Sequence, residues 1–244
     1  LGTASTVWVA GDTRVESVSD RNAETDVVSG AVGLAVGATS NARAIANGSN
    51  AALVTGRLNS TNDLTVVAHE NNRTVSDADS FSASLVTLSG LESRTIANPL
   101  VTASVSAPVD ASGNVEVMAE ADLTTLATGR TIGVQFMTFG NSTIAAESAP
   151  TVVAELGGGA ELTTDGDISV TAVHTVGPVA AGQPAVTGFA AEAGLLFGNT
   201  GMALRAESDP VVEARVIETA EVIETDDLSL NSRSDTKLVV EDGA

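Results

Sequence analysis

Val115-Glu116-Val117-Met118-Ala119, entered from the turn Gly113-Asn114, decides the fold of this chain. Aliphatic or small residues hold its first, third and fifth positions, and a charged residue holds the second. That is the period of two of a strand with one wet face. The template recurs as Val15-Glu16-Ser17-Val18-Ser19, Leu64-Thr65-Val66-Val67-Ala68, Ile168-Ser169-Val170-Thr171-Ala172 and Leu228-Ser229-Leu230-Asn231-Ser232. The starts near 15, 64, 115, 168 and 228 are spaced by roughly 50 to 60 residues, a period that marks a stacked repeat.

Two further anchors keep the same order. One is Ala44-Ile45-Ala46, Thr95-Ile96-Ala97, Thr143-Ile144-Ala145 and Ala203-Leu204-Arg205, followed by Pro99, Pro150 and Pro210 in the last three copies. The other is an apolar run closing on glycine: Leu34 to Gly37, Val86 to Gly90, Phe136 to Gly140 and Leu195 to Gly198. That run is apolar at consecutive positions, so cover on both faces is expected. Alternation returns after the prolines, at Leu100 to Val105, Val152 to Leu156 and Val212 to Val216.

One repeat cannot bury its own apolar face, but stacked repeats cover one another. The expected fold is therefore all-β: one repetitive β-solenoid domain over residues 1–244, with four to five repeats of about 50 residues. Like residues should then stack, valine on valine and glycine on glycine. Helix is disfavoured by the density of Val, Thr, Ser and Gly. The best helical stretch, Ala214 to Glu224, carries Val216, Ile217, Val222 and Ile223. A string of β-sandwich modules is the competing architecture, although an immunoglobulin-like sandwich takes about 100 residues. Gly177-Pro178 through Gln183-Pro184 reads as an inserted loop.

Composition narrows the function. The 244 residues carry 31 acidic and 11 basic side chains, a net charge of −20, and Lys237 is the single lysine. Nucleic-acid binding is disfavoured, because phosphate contacts need clustered Lys and Arg. A hydrophobic share of 43% separates the chain from disordered acidic tails. With no cysteine, a disulfide framework and a thiolate metal site are excluded. No apolar run is long enough for a transmembrane helix. No signal peptide is read at Leu1, and the chain is taken as a mature product, a segment of a longer protein or a filament subunit. One Trp, five Phe and no Tyr fit a thin interior copied rung by rung, where a ring in one rung would need space in its neighbours.

The Val-x-Val-x-Ala strand after an Asp/Asn/Gly turn, the glycine-rich apolar run and the alternation that follows resemble the strand repeats of large bacterial surface adhesins. These are β-solenoids of the filamentous-haemagglutinin and autotransporter type, and the resemblance spans the chain. It implies a non-enzymatic, extracellular or cell-surface structural protein that adheres to a host surface or matrix ligand, or assembles. It supplies no catalytic residues. Self-association through strand edges is expected, since Val7-Trp8-Val9 and Leu238-Val239-Val240 both read as uncapped strands. A polysaccharide-active or calcium-dependent carbohydrate-binding β-helix is the alternative.

The turn before each first strand is acidic or amide-bearing: Asp12, Asp63, Asp110 with Asn114, Asp165 with Asp167, and Asp226 with Asp227. Stacked, these carboxylates would form a column, and calcium takes such oxygen ligands. Asp and Asn are equally the ordinary residues of turns. His69 and His174 fall at different offsets from their strand starts, against a two-histidine site. No Gly-x-Ser-x-Gly elbow is present. Trp8 and five Phe are too few for a sugar-stacking groove. Asn47, Asn59, Asn72 and Asn141 begin glycosylation sequons.

Overall fold

The computed structural model describes residues 6–60, 62–177 and 185–243, and every regular element among them is a β-strand. The first repeat holds a short strand β1 (Thr6–Val9) and a very long one, β2 (Thr13–Val54). The second holds β3 (Arg57–Ser60) and β4 (Leu64–Val105). The third is β5 (Val109–Ala111), β6 (Val115–Ser148) and β7 (Thr151–Leu156). The fourth is β8 (Glu161–Thr164), β9 (Ile168–Gly177), β10 (Val186–Ser208) and β11 (Val211–Val216). Three further strands close the order: β12 (Glu221–Glu224), β13 (Leu228–Thr236) and β14 (Val240–Gly243).

All pairing is parallel. The short strands form one sheet, β1-β3-β5-β8-β12, and the others form a second. Thr13 pairs with Leu64, Leu64 with Val115, Val115 with Ile168 and Ile168 with Leu228. Inward positions therefore line up from repeat to repeat, as in the column Val15, Val66, Val117, Val170, Leu230. The next such column is Ser17, Ala68, Ala119, Ala172, Ser232. A small residue at each level lets the next level approach, which is why aromatics are scarce.

Each long strand doubles back on itself without a backbone ladder between its limbs. Ser29 Oγ meets Ser40 Oγ at 2.6 Å, the Thr25 hydroxyl donates to the Arg43 carbonyl at 3.0 Å, and Ser76 Oγ meets Ser93 Oγ at 2.8 Å. The bend falls at Leu34, Leu85 and Phe136, where the pairing register skips one residue. Two apolar clusters fill the space between the limbs. One adjoins the short-strand sheet around Leu64, Val117, Val152 and Ile168; the other surrounds Ala78, Leu91, Ala127 and Ile144. In the second repeat the polar stretch Glu70, Asn72, Thr74, Ser76 separates them, and all four are fully buried. At Gly129 a Cβ would lie 2.6 Å from Ile144 Cδ1 and 2.7 Å from Leu91 Cδ2, so glycine there makes room for the opposite limb.

Several sequence expectations shift. Val15 pairs with Val66, so the first copy begins at Thr13. The prolines stack, because Leu100 pairs with Thr151 and Thr151 with Val211. Thr143-Ile144-Ala145 lies beside Glu92-Ser93-Arg94 rather than beside Thr95-Ile96-Ala97. The closing glycines do not stack: Gly37 pairs with Leu88 and Gly90 with Asn141. The apolar run is not covered on both faces, since Val32 is 79% exposed and Leu34 77%. The candidate helix Ala214 to Glu224 is the end of β11, a turn and β12; its β-branched residues follow the parallel ladder instead. Most of the inserted loop lies outside the described residues.

Candidate functional site

The outward face of the rising limb carries the densest chemistry. His69 in β4 pairs with Glu120 in β6, and Asn71 pairs with Asp122, making a two-by-two block on adjacent strands. His69 Nδ1 is 3.1 Å from Glu120 Oε2. One ligand atom from each of His69, Glu120 and Asp122 lies within 4.8 Å of the others, and all three side chains are half-buried. They are the only such group of three among the described residues. Neighbouring levels of the His69 column carry Val18 and Val173, so the block is confined to the second and third repeats. Parallel strands about 4.8 Å apart bring side chains at paired positions into contact, and residues two apart share a face. One imidazole nitrogen and two carboxylates could hold a divalent cation, and the nitrogen favours a borderline ion such as zinc over calcium.

The turn aspartates fall into place differently. Asp63, Asn114, Asp167 and Asp227 form one column, each carbonyl accepting the N–H that opens the long strand of the repeat before. Asp12 precedes Thr13, whose N–H donates to Asp63 O. Asp63 Oδ1 accepts the Asn114 N–H at 2.7 Å, and Asn114 Oδ1 accepts the Asp167 N–H at 3.0 Å. These side chains carry the turn ladder from level to level, as turn residues do. Asn114 inserts a neutral amide between the Asp12–Asp63 and Asp167–Asp227 pairs. Asp110 lies in β5, between Asn59 and Thr163, away from the column. Asp165 and Asp226 each stand one residue before Gly166 and Asp227.

The burial of two titratable groups escapes sequence reading. Glu70 and His174 occupy the inward column Ser19, Glu70, Ala121, His174, Ser234. Arg21 Nη1 lies 2.8 Å from Glu70 Oε1 and Nη2 donates to Ser49 O at 3.1 Å, while Glu70 Oε2 has no partner. The guanidinium lies over Gly48, where an added Cβ would fall 2.7 Å from Cζ and displace it, at a φ of +154° that side chains rarely adopt. Burial raises the Glu70 pKa, opposed by Ser19 and Arg21. His174 meets Ser234 Oγ at 3.0 Å through Nδ1, and its Nε2 is unpartnered. Burial pulls its pKa down to about 4, with Asp122 opposing. Inward parity marks position 70 in the alternation, but a carboxylate there breaks the pattern and reads as a register error.

Trp8 is 78% exposed and shares a cleft with Asn59 and Asp110. It is the only aromatic in that lining, short of a sugar-stacking groove. Asn59 and Asn72 are buried, which removes both sequons from the folded surface; Asn47 and Asn141 are exposed. No helix among the described residues is long and apolar enough to cross a membrane. No protein-family model, curated protein or solved structure matches the chain.

Proposed function

We propose that the chain is a β-solenoid rod: a non-enzymatic structural protein of a cell surface that stacks end to end and presents its outer faces. The observation that supports this most is the in-register pairing of β2 on β4 and β4 on β6, which runs up one limb, through the bend and down the other. A chain paired this way gains length by adding levels. Its ends are the open outer edges of β1 and β2 on one side and of β11, β12, β13 and β14 on the other, each with one partner among the described residues. Unpaired edges are templates for a further strand. The adhesin-like repeat agrees with this reading, as does an acidic surface that keeps a repetitive protein in solution.

Excision of residues 64–114 tests the rod. It removes one 51-residue period and joins Asp63 to Val115 in the same phase. The shortened protein should fold, keep its β spectrum and melt cooperatively at a lower temperature. Loss of folding would mean that the repeats are not interchangeable levels, and would remove the proposal.

The His69–Glu120–Asp122 block supports a second reading, a metal-dependent binding face. One equivalent of zinc should raise the melting temperature of chelator-treated protein, and Glu120→Gln should abolish the rise. A rise with calcium that survives Glu120→Gln would direct attention to the turn aspartates instead. No shift with either ion removes this reading.

A further inference from the structure

The rising limb ends, at the bend, in a bare apolar strip. Two outward columns form it, Gly30, Phe81 and Ile132 beside Val32, Ala83 and Val134, and the bend residues Leu34, Leu85 and Phe136, which the pairing skips, continue it. Val134 is 65% exposed, Leu85 and Phe81 about half, and Leu88 and Phe139 continue the strip past the bend. In a chain of net charge −20, residues 27–42, 80–91 and 131–146 contain no charged side chain. At strand spacing the nine positions cover about 300 Å², within the range of the largest apolar patch on a soluble monomer, which is often functional.

One border of the strip carries a carboxylate and a guanidinium side by side. Asp79 pairs with Arg130 in the column Val28, Asp79, Arg130, Phe189. Neither enters an ion pair among the described residues, and Arg130 sits 5.7 Å from the centre of the Phe189 ring. Burial together with Asp77 and Asp26 raises the Asp79 pKa despite Arg130. A two-fold interface repeats each contact with the roles exchanged. Two copies packed strip against strip about such an axis would bring Arg130 of each to Asp79 of the other.

We propose that this strip is a lateral interface with a second copy of the chain, a two-fold pair closed by reciprocal Arg130–Asp79 contacts. The partner is another copy because the strip is apolar and bordered by one charge of each sign. Elsewhere the acidic surfaces of two rods repel, and the charge-free bend is where they can approach. About 300 Å² per copy is well under the roughly 800 Å² of a tight interface. The pair is therefore weak and transient. The proposal does not depend on end-to-end stacking: a two-fold pair closes at two copies, whereas edge stacking gives an open series.

Sedimentation equilibrium from 20 to 500 µM in 150 mM salt tests it, with circular dichroism to confirm folding. Wild type should populate a dimer. Val134→Glu should weaken it at least tenfold, and so should Arg130→Asp alone. The swap Asp79→Arg with Arg130→Asp should restore it, because the reciprocal pairs reform with signs reversed. Wild type that stays monomeric at 500 µM overturns the proposal, as does a dimer indifferent to Val134→Glu or a swap that fails to rescue. Flotation of a monomer with neutral phosphatidylcholine vesicles would assign the strip to lipid and equally overturn it. An open ladder of masses untouched by Val134→Glu would support edge stacking and reject the lateral pair.

Discussion

Replacing Arg21 with alanine is expected to lower the unfolding free energy by about 3 kcal/mol at pH 7, the cost of breaking a buried ion pair from one side. Glu70 is fully buried, and Arg21 Nη1 is its cationic partner at 2.8 Å. Without the guanidinium, the carboxylate keeps its desolvation cost and loses its compensation. Glu70→Gln should be nearly neutral or stabilising at pH 7, because it removes a charge that burial already disfavours. The double variant Arg21→Ala with Glu70→Gln should regain most of the loss. The pH dependence follows from the raised Glu70 pKa. Above its folded pKa the group is charged, and the stability it contributes at low pH is gone. The penalty of Arg21→Ala should therefore shrink as pH falls into the carboxylate range. Denaturant melts of the four proteins at pH 7 and pH 4 measure all of this. An Arg21→Ala penalty unchanged by Glu70→Gln would show that the arginine acts only through Ser49 and Gly48.

His174 provides the second large effect. Its folded pKa of about 4 lies below the ordinary imidazole value of 6.5 because the ring is buried. A depressed pKa contributes stability that is complete above the unfolded value and is lost as pH falls toward the folded one. Between pH 6.5 and pH 4 the protein should therefore lose about 3 kcal/mol through this residue alone. His174→Gln keeps a polar side chain at the position and cannot titrate in this window. Wild type should therefore lose about 3 kcal/mol relative to the variant between pH 7 and pH 4. Parallel pH profiles of the two proteins would refute the assignment.

Both effects arise at inward positions where the alternation carries a polar residue. Strand character was legible at Val115 to Ala119 and in the other four copies, because a period of two is a local property. The stacked prolines and the valine column were also legible in the spacing. The exact register was not. An Ala/Val/Thr-rich chain offers several near-equal alignments two or three residues apart, and the structure resolves them at Thr13 and at Ser93–Ile144. Exposure of the glycine-closed run was misjudged for a related reason. Consecutive apolar residues suggest cover on both faces, but the bend at Leu34, Leu85 and Phe136 leaves the outward face bare within one chain.

The candidate site divides along the same line. The turn aspartates were visible as a recurring residue type, and their bonding to the next level is what stacked turn residues do. His69, Glu120 and Asp122 could not be joined from the sequence, since His69 and Glu120 are 51 positions apart and only lateral pairing puts them 3.1 Å from each other. Arg21 and Glu70 meet across adjacent levels, 49 positions apart. The sequence by itself determined that the chain is β, acidic and poor in rings, because those properties reside in local alternation and composition. The tertiary structure alone decided which residues share a column, where each long strand doubles back, and which apolar positions stay bare. Those depend on a register set by the packing of distant limbs, where a shift of one residue exchanges inside for outside.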